Sequence, residues 1–194
     1  MNQKSNEVIL GMLEQGHNLL REGRYEEAIE SFTSCLAVNP ETSRAYNGRA
    51  QAHFRLQKWP EASADFARAK ELSPVDKESW LGLGMSLALE NKIYEAIDVL
   101  EEMLKHFPAF VRGHIQLGQL QYKLCATAKG KEQLNLALAN KPSLAERKII
   151  EQVLKEEKIL DQKRYYRPDF AALNKGDQGL LVKFLYLFGF HKKR

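Results

Sequence analysis

Residues 80–108 read WLGLGMSLALENKIYEAIDVLEEMLKHFP, two helix-period stretches that meet near ENKIY (90–94) and stop at Pro108. Proline lacks an amide N–H and disfavours helical geometry in the residue before it, so it ends a helix. Pro108 is also one mark on a ruler. Pro40, Pro74, Pro108 and Pro142 fall 34 residues apart, and the chain has only 6 prolines. Four stops at one interval mean four copies of one supersecondary unit.

Working outward from that stretch, the units span 9–42, 43–76, 77–110 and 111–144. A small residue recurs at the eighth position (Gly16, Ala50, Gly84, Gly118) and another at the twentieth (Ala28, Ala62, Ala96, Gly130). The spacing predicts that these are the points where the two helices of a unit cross, since a larger side chain there would push them apart. A large apolar residue recurs at the twenty-fourth position (Phe32, Phe66, Leu100, Leu134), as a knob filling the gap to the next pair. The twenty-seventh is compact: Cys35, Ala69, Met103, Ala137. One helical hairpin cannot bury its own apolar face, so such units must stack.

These positions resemble the signature of the tetratricopeptide repeat, over roughly residues 9–144. Trp80, Leu83, Gly84, Ala96 and Pro108 of the third unit match it closely, as does GRYEEAIESF (23–32) in the first. The fourth departs most, with Gly130 for alanine and LCATAKG (124–130) lacking the usual turn. The resemblance implies an all-α superhelix, a solenoid of helical hairpins. After Pro142, residues 143–162 are predicted to form a helix covering the end of the stack. Ser143 and Glu146 make a capping box, and Leu144, Ile149, Ile150, Val153, Leu154, Ile159 and Leu160 an apolar stripe.

In this family the first helix of each unit lines a concave groove. Carried over by position, the groove residues are His17 and Arg21 in the first unit and Arg44, Asn47, Gln51, Phe54 and Arg55 in the second. The third contributes Leu81 and Met85, and the fourth Arg112, Gln116, Gln119, Tyr122 and Lys123. The best-known ligand of the family is the acidic C-terminal tail of heat-shock chaperones, held by a clamp of Lys, Asn and Arg. The clamp positions here hold Leu13, His17, Gly48, Glu78 and Gly82, none of which matches, and that disfavours such a role. The remaining expectation is an apolar peptide or helix with some negative charge, anchored by Phe54, Leu81, Met85 and Tyr122. The competing reading is that several of these residues pack against neighbouring repeats.

Residues 163–194 break the pattern. Residues 162–194 carry 8 Lys and Arg against 2 Asp and Glu, whereas the whole chain is only +4. The tail also holds 7 of the chain's 18 aromatics. GLLVKFLYLFGF (179–190) is almost wholly apolar and runs into HKKR (191–194). Phe184, Leu187, Phe188 and Phe190, with Lys192, Lys193 and Arg194, are its contact residues. Three destinations compete: packing back on the protein, a membrane interface with the basic residues on anionic lipid, or a partner protein, a second copy included. Nucleic acid is disfavoured, because the aromatics sit among leucines rather than among basic residues.

Nothing in the chain announces catalysis. The histidines His17, His53, His106, His114 and His191 show no metal-ligand spacing, and His53 and His114 fall at core positions where a packed, hydrogen-bonded ring is expected. Cys35 and Cys125 lie far apart in no CxxC pattern, which suits a reducing compartment. No cofactor motif, signal peptide or membrane-length apolar run is evident. The expectation is a non-enzymatic, cytoplasmic protein–protein interaction adaptor without cofactor. The alternative is a membrane-peripheral assembly or targeting factor anchored by its tail at the cytoplasmic face.

Overall fold

A computed structural model describes the backbone of residues 3–164 and the side chains of residues 6–158, and every element within that range is an α-helix. In chain order these are α1 (Gln3–Glu22), α2 (Tyr25–Val38), α3 (Ser43–Arg55), α4 (Trp59–Leu72), α5 (Lys77–Leu89), α6 (Ile93–His106), α7 (Val111–Lys123), α8 (Thr127–Ala139) and α9 (Leu144–Arg164). The starts of α3, α5 and α7, and those of α4, α6 and α8, step by the same 34 residues as the prolines. Helix α1 is longer at its front than the ruler suggests, because no proline limits it there. The tail residues Phe184, Leu187, Phe188, Phe190, Lys192, Lys193 and Arg194 lie outside the described residues, as do the side chains of Ile159 and Leu160.

The chain divides into two units, Met1–Leu154 and Lys155–Arg194. The first holds α1 to α8 and the beginning of α9. The described part of the second is the rest of α9. Within the first unit, each helix from α1 to α8 packs on the next, and the odd-numbered helices also touch in series, α1 on α3, α3 on α5 and α5 on α7. The even-numbered helices do not touch one another among the described residues. Helices α1, α3, α5 and α7, the odd helices of the array, therefore form one continuous face.

Small residues set how closely the helices approach. A Cβ on Gly118 would sit 3.1 Å from the carbonyl oxygen of Gly130, and one on Gly130 would sit 3.0 Å from that of Gly118, so α7 and α8 cross backbone to backbone. The knobs fill the gap to the next pair. Phe32 is fully buried, and its ring lies against Gly16 of its own hairpin and Gly48 of the following one. Phe66 lies likewise against Gly82. Burial of a Phe or Leu side chain stabilises by roughly 1.5–3 kcal/mol, which makes these knobs principal contributors to the stack.

Each hairpin turns on a left-handed residue at the same place: Gly23, Gln57, Asn91 and Cys125, with φ of 78°, 59°, 66° and 60°. In the second hairpin Gln57 N–H donates to the Phe54 carbonyl at 3.1 Å and Lys58 N–H to the His53 carbonyl at 3.0 Å, the paired bonds of a Schellman motif. The fourth hairpin repeats them, with Cys125 N–H on Tyr122 O at 2.8 Å and Ala126 N–H on Gln121 O at 2.8 Å. The irregular turn expected at 124–130 is thus a regular one. Its backbone bonds carry the motif without glycine.

Polar groups in the core are matched by repeat position. Trp80 donates its indole N–H to the Pro74 carbonyl at 2.9 Å, and 34 residues on the His114 Nε2 meets the Pro108 carbonyl at 2.8 Å. Arg49 forms a two-pronged pair with Asp65 at 2.7 and 2.8 Å inside the α3–α4 hairpin. At the end of the array, Ser143 N–H donates to Glu146 Oε2 at 2.8 Å while Glu146 N–H donates to Ser143 Oγ at 3.3 Å, closing the capping box at the start of α9. Ile150 is fully buried with Ile115, Tyr122, Leu134 and Ala137, and Val153 and Leu154 pack against them. Leu144 and Ile149, expected on the same stripe, are exposed (80% and 45%), so the covering face of α9 is narrower than its pattern. Among the described residues no helix is long and apolar enough to cross a membrane.

Candidate functional site

The continuous face of odd helices carries a cavity of about 400 Å³ between α3, α5 and α7. Its spacing follows from helix geometry. Gln51 and Arg55 on α3, and Leu81 and Met85 on α5, are each four residues apart and therefore point the same way. Phe54, Phe66 and Gly82 complete the apolar lining, and Glu78 and Arg112 the polar one. Leu81 and Phe66 are only 2% and 4% exposed, and so form the floor. Phe54 is half-buried and braced edge-on by Trp59, with ring centroids 5.0 Å apart. Gly82 keeps the floor open, since a Cβ there would run into the Phe66 ring.

Six of the residues expected in the groove meet at this cavity: Gln51, Phe54, Arg55, Leu81, Met85 and Arg112. His17, Arg21 and Arg44, on α1 and α3, do not line it but lie near one another. His17 stands edge-on to Phe32 at 5.3 Å. Burial, then the charges of Arg44 and Arg21, hold its imidazole below the ordinary value. Arg21, Arg44 and Arg55 are exposed and form no ion pair among the described residues.

Other expected positions are occupied differently. Asn47 is buried and belongs to a polar link between repeats. Its amide donates to Asp76 Oδ2 and Ser79 Oγ, both at 2.7 Å, and accepts from Gln51 Nε2 at 2.5 Å. Tyr122 is 8% exposed, packed in the core that Ile150 closes, with its ring carbons about 3.0 Å from where a Gly130 Cβ would be. Gln116 and Gln119 are half-buried and Lys123 exposed, all on α7 and none lining the cavity. A rule of position names the helix face but not which residues a neighbouring hairpin covers.

One lining residue, Phe66, stood outside the positions expected to face the groove. Glu78 and Gly82 stand at groove positions, but neither is an apolar or amide anchor. Phe66 reads as a core knob, and its ring reaches the cavity only because Gly82 leaves it uncovered. The clamp positions offer no cationic cradle: Leu13 is buried, Gly48 lies on Phe32, Gly82 on Phe66, and Glu78 pairs with Arg112. Among the described residues no three His, Cys, Asp or Glu side chains converge on a point. Burial pushes the Cys35 thiol up, against a weaker opposing hydrogen bond from Thr42. That makes it a poor nucleophile.

The family described as tetratricopeptide repeat matches residues 13–77 and 55–110. Sperm-associated antigen 1 of Rattus norvegicus is 37% identical over 94 residues, 48% of this chain and 10% of that protein. The chain thus spans about a tenth of the length of this curated relative. Among solved structures, MamA superposes with a TM-score of 0.66 at 20% identity, covering 69% of this chain and 78% of that one. The first repeat domain of Spaghetti (RPAP3), solved with the HSP90 peptide SRMEEVD, gives a TM-score of 0.59 at 25% identity over 61% of this chain and 94% of that one.

Proposed function

The chain belongs to the tetratricopeptide repeat family, and from that premise we propose that it is a non-catalytic protein–protein interaction module that holds a partner peptide on the face of its odd helices. The cavity between α3, α5 and α7 carries this reading. It is apolar at its floor, polar at its rim, large enough for one or two side chains, and lined by the unpaired guanidinium of Arg55. Concave, mostly apolar sites with a few placed polar groups are where peptides anchor.

The RPAP3 domain supports a peptide as the class of ligand, since its structure holds one. The chemistry here differs from a cationic clamp. The partner favoured by this geometry inserts an apolar side chain over Leu81 and Met85 and places acidic residues toward Arg44 and Arg55. Charge complementarity of that kind chiefly sets orientation and association rate, while the buried anchor supplies most of the affinity.

The test is a selection of displayed random peptides on the whole chain, followed by affinity measurement of the selected peptides. Met85→Glu places a charge at the cavity and is expected to weaken binding at least tenfold. Arg44→Glu with Arg55→Glu is expected to weaken it severalfold and to remove most of its salt dependence. Selected peptides that bind all variants equally would mean that the site lies elsewhere.

A further inference from the structure

Of the two guanidiniums at the cavity, Arg55 is open and Arg112 is taken. Arg112 NH1 lies 3.0 and 2.9 Å from the two oxygens of the Glu78 carboxylate, tying α7 to α5 at the cavity's edge. Both side chains are about half exposed (50% and 44%), so the pair is not part of the packed core. An exposed pair of this kind contributes little to folding. Its effect falls on what enters the cavity. A ligand carboxylate approaching Arg112 finds NH1 already engaged and must lie beside Glu78, a like charge.

The surrounding groups leave Arg112 no second role in the fold. Glu146 is close enough to feel its charge, but that carboxylate is already held by the backbone and hydroxyl of Ser143 at 2.8 and 2.7 Å. On the opposite wall, Gln51 directs its amide N–H to Asn47, whose own N–H groups are fixed by Asp76 and Ser79. The Asp76 carboxylate only accepts, so this relay leaves the Gln51 carbonyl oxygen as the group turned from it. Of the cavity's two cations, Arg112 on the α5–α7 side is thus paired, and Arg55 on the α3 side is not.

We infer that Glu78 is a specificity determinant: an internal competitor that occupies Arg112 and rejects peptide carboxylates from the α5–α7 side of the cavity. This rests on the peptide-binding reading above and deepens it. A bound peptide is thereby oriented, with its acidic residues over α3. Ligands whose acidic groups must also be gripped from α7 are refused.

The probe is the synthetic acidic peptide SRMEEVD, with the carboxylate-free, cationic counterpart SRMQQVN, amidated at its C-terminus, as control. Affinities are measured for the whole chain and for Glu78→Gln, Arg112→Gln and the double variant. Glu78→Gln is expected to tighten SRMEEVD by about threefold to tenfold. Arg112→Gln alone is expected to weaken it severalfold, because it leaves the Glu78 carboxylate uncompensated at the cavity. The double variant returns to the unmodified affinity, and the carboxylate-free peptide gains nothing in Glu78→Gln. An unchanged or weaker affinity in Glu78→Gln overturns the inference, as does a gain that persists without Arg112. If that happens while Met85→Glu still weakens binding of selected peptides at least tenfold, the groove reading stands and only the role of Glu78 falls.

Discussion

At the scale of single residues, the fold depends on pairs of positions that fit each other, one large and one without a side chain. Phe32 and Gly48 belong to successive hairpins, and a Cβ on Gly48 would lie 2.6 Å from Phe32 Cε1. Gly48→Ala is expected to lower stability by about 1–3 kcal/mol, since neither the fully buried ring nor the helix can move freely. Urea denaturation reads this directly, and an unchanged midpoint would contradict the packing described. Two histidines give a second residue-level prediction. Burial lowers the imidazoles of His17 and His53, the latter also shaped by Asp65, Arg49, Glu61 and Lys58. Among the described residues His53 Nδ1 is buried without a hydrogen-bond partner. A histidine whose value is lowered on folding takes up its proton more readily unfolded. Stability is therefore full above the ordinary value near 6.5 and falls as pH drops below it. Denaturation midpoints between about pH 7.5 and 5.5 should show this slope, and His53→Gln should flatten it.

At the scale of elements, the hairpin turns show what could be read from the chain and what could not. Prolines after the even helices are explicit stops, and the starts of α3, α5 and α7 at Ser43, Lys77 and Val111 follow from them. The turns inside the hairpins carry no such mark. They rest on a left-handed backbone that glycine supplies only at Gly23, while Gln57, Asn91 and Cys125 adopt it because the Schellman bonds hold them there. That is why 124–130 looked irregular as letters and is regular as backbone. The same reasoning predicts that Gln57→Gly stabilises the protein by roughly 1 kcal/mol, by removing a Cβ from a left-handed position. A thermal midpoint that stays or falls would place the native turn in some other conformation. The link from Asn47 to Asp76 and Ser79 was equally hidden: position marks Asn47 as facing the groove, but the cap of the following helix draws it inward.

At the scale of the whole molecule, the repeat array places helices of like position side by side, so that the residues of one face form a continuous surface while each hairpin contributes only a few. The cavity exists because α3, α5 and α7 are neighbours, and no single repeat contains it. Much of this candidate site was legible through the resemblance to the repeat family, whose groove positions implied Gln51, Phe54, Arg55, Leu81, Met85 and Arg112 on one face. Periodicity was silent on the ion pair between Glu78 and Arg112, which depends on side chains one repeat apart meeting across two helices. The most direct test of the central claim is methyl and side-chain amide NMR on the whole chain during titration with a selected peptide. The account predicts that the Met85 methyl and the Gln51 side-chain amide shift first and furthest, while the fully buried Met103 methyl stays in place. Shifts confined to the even helices, with Met85 and Gln51 unmoved, would contradict it.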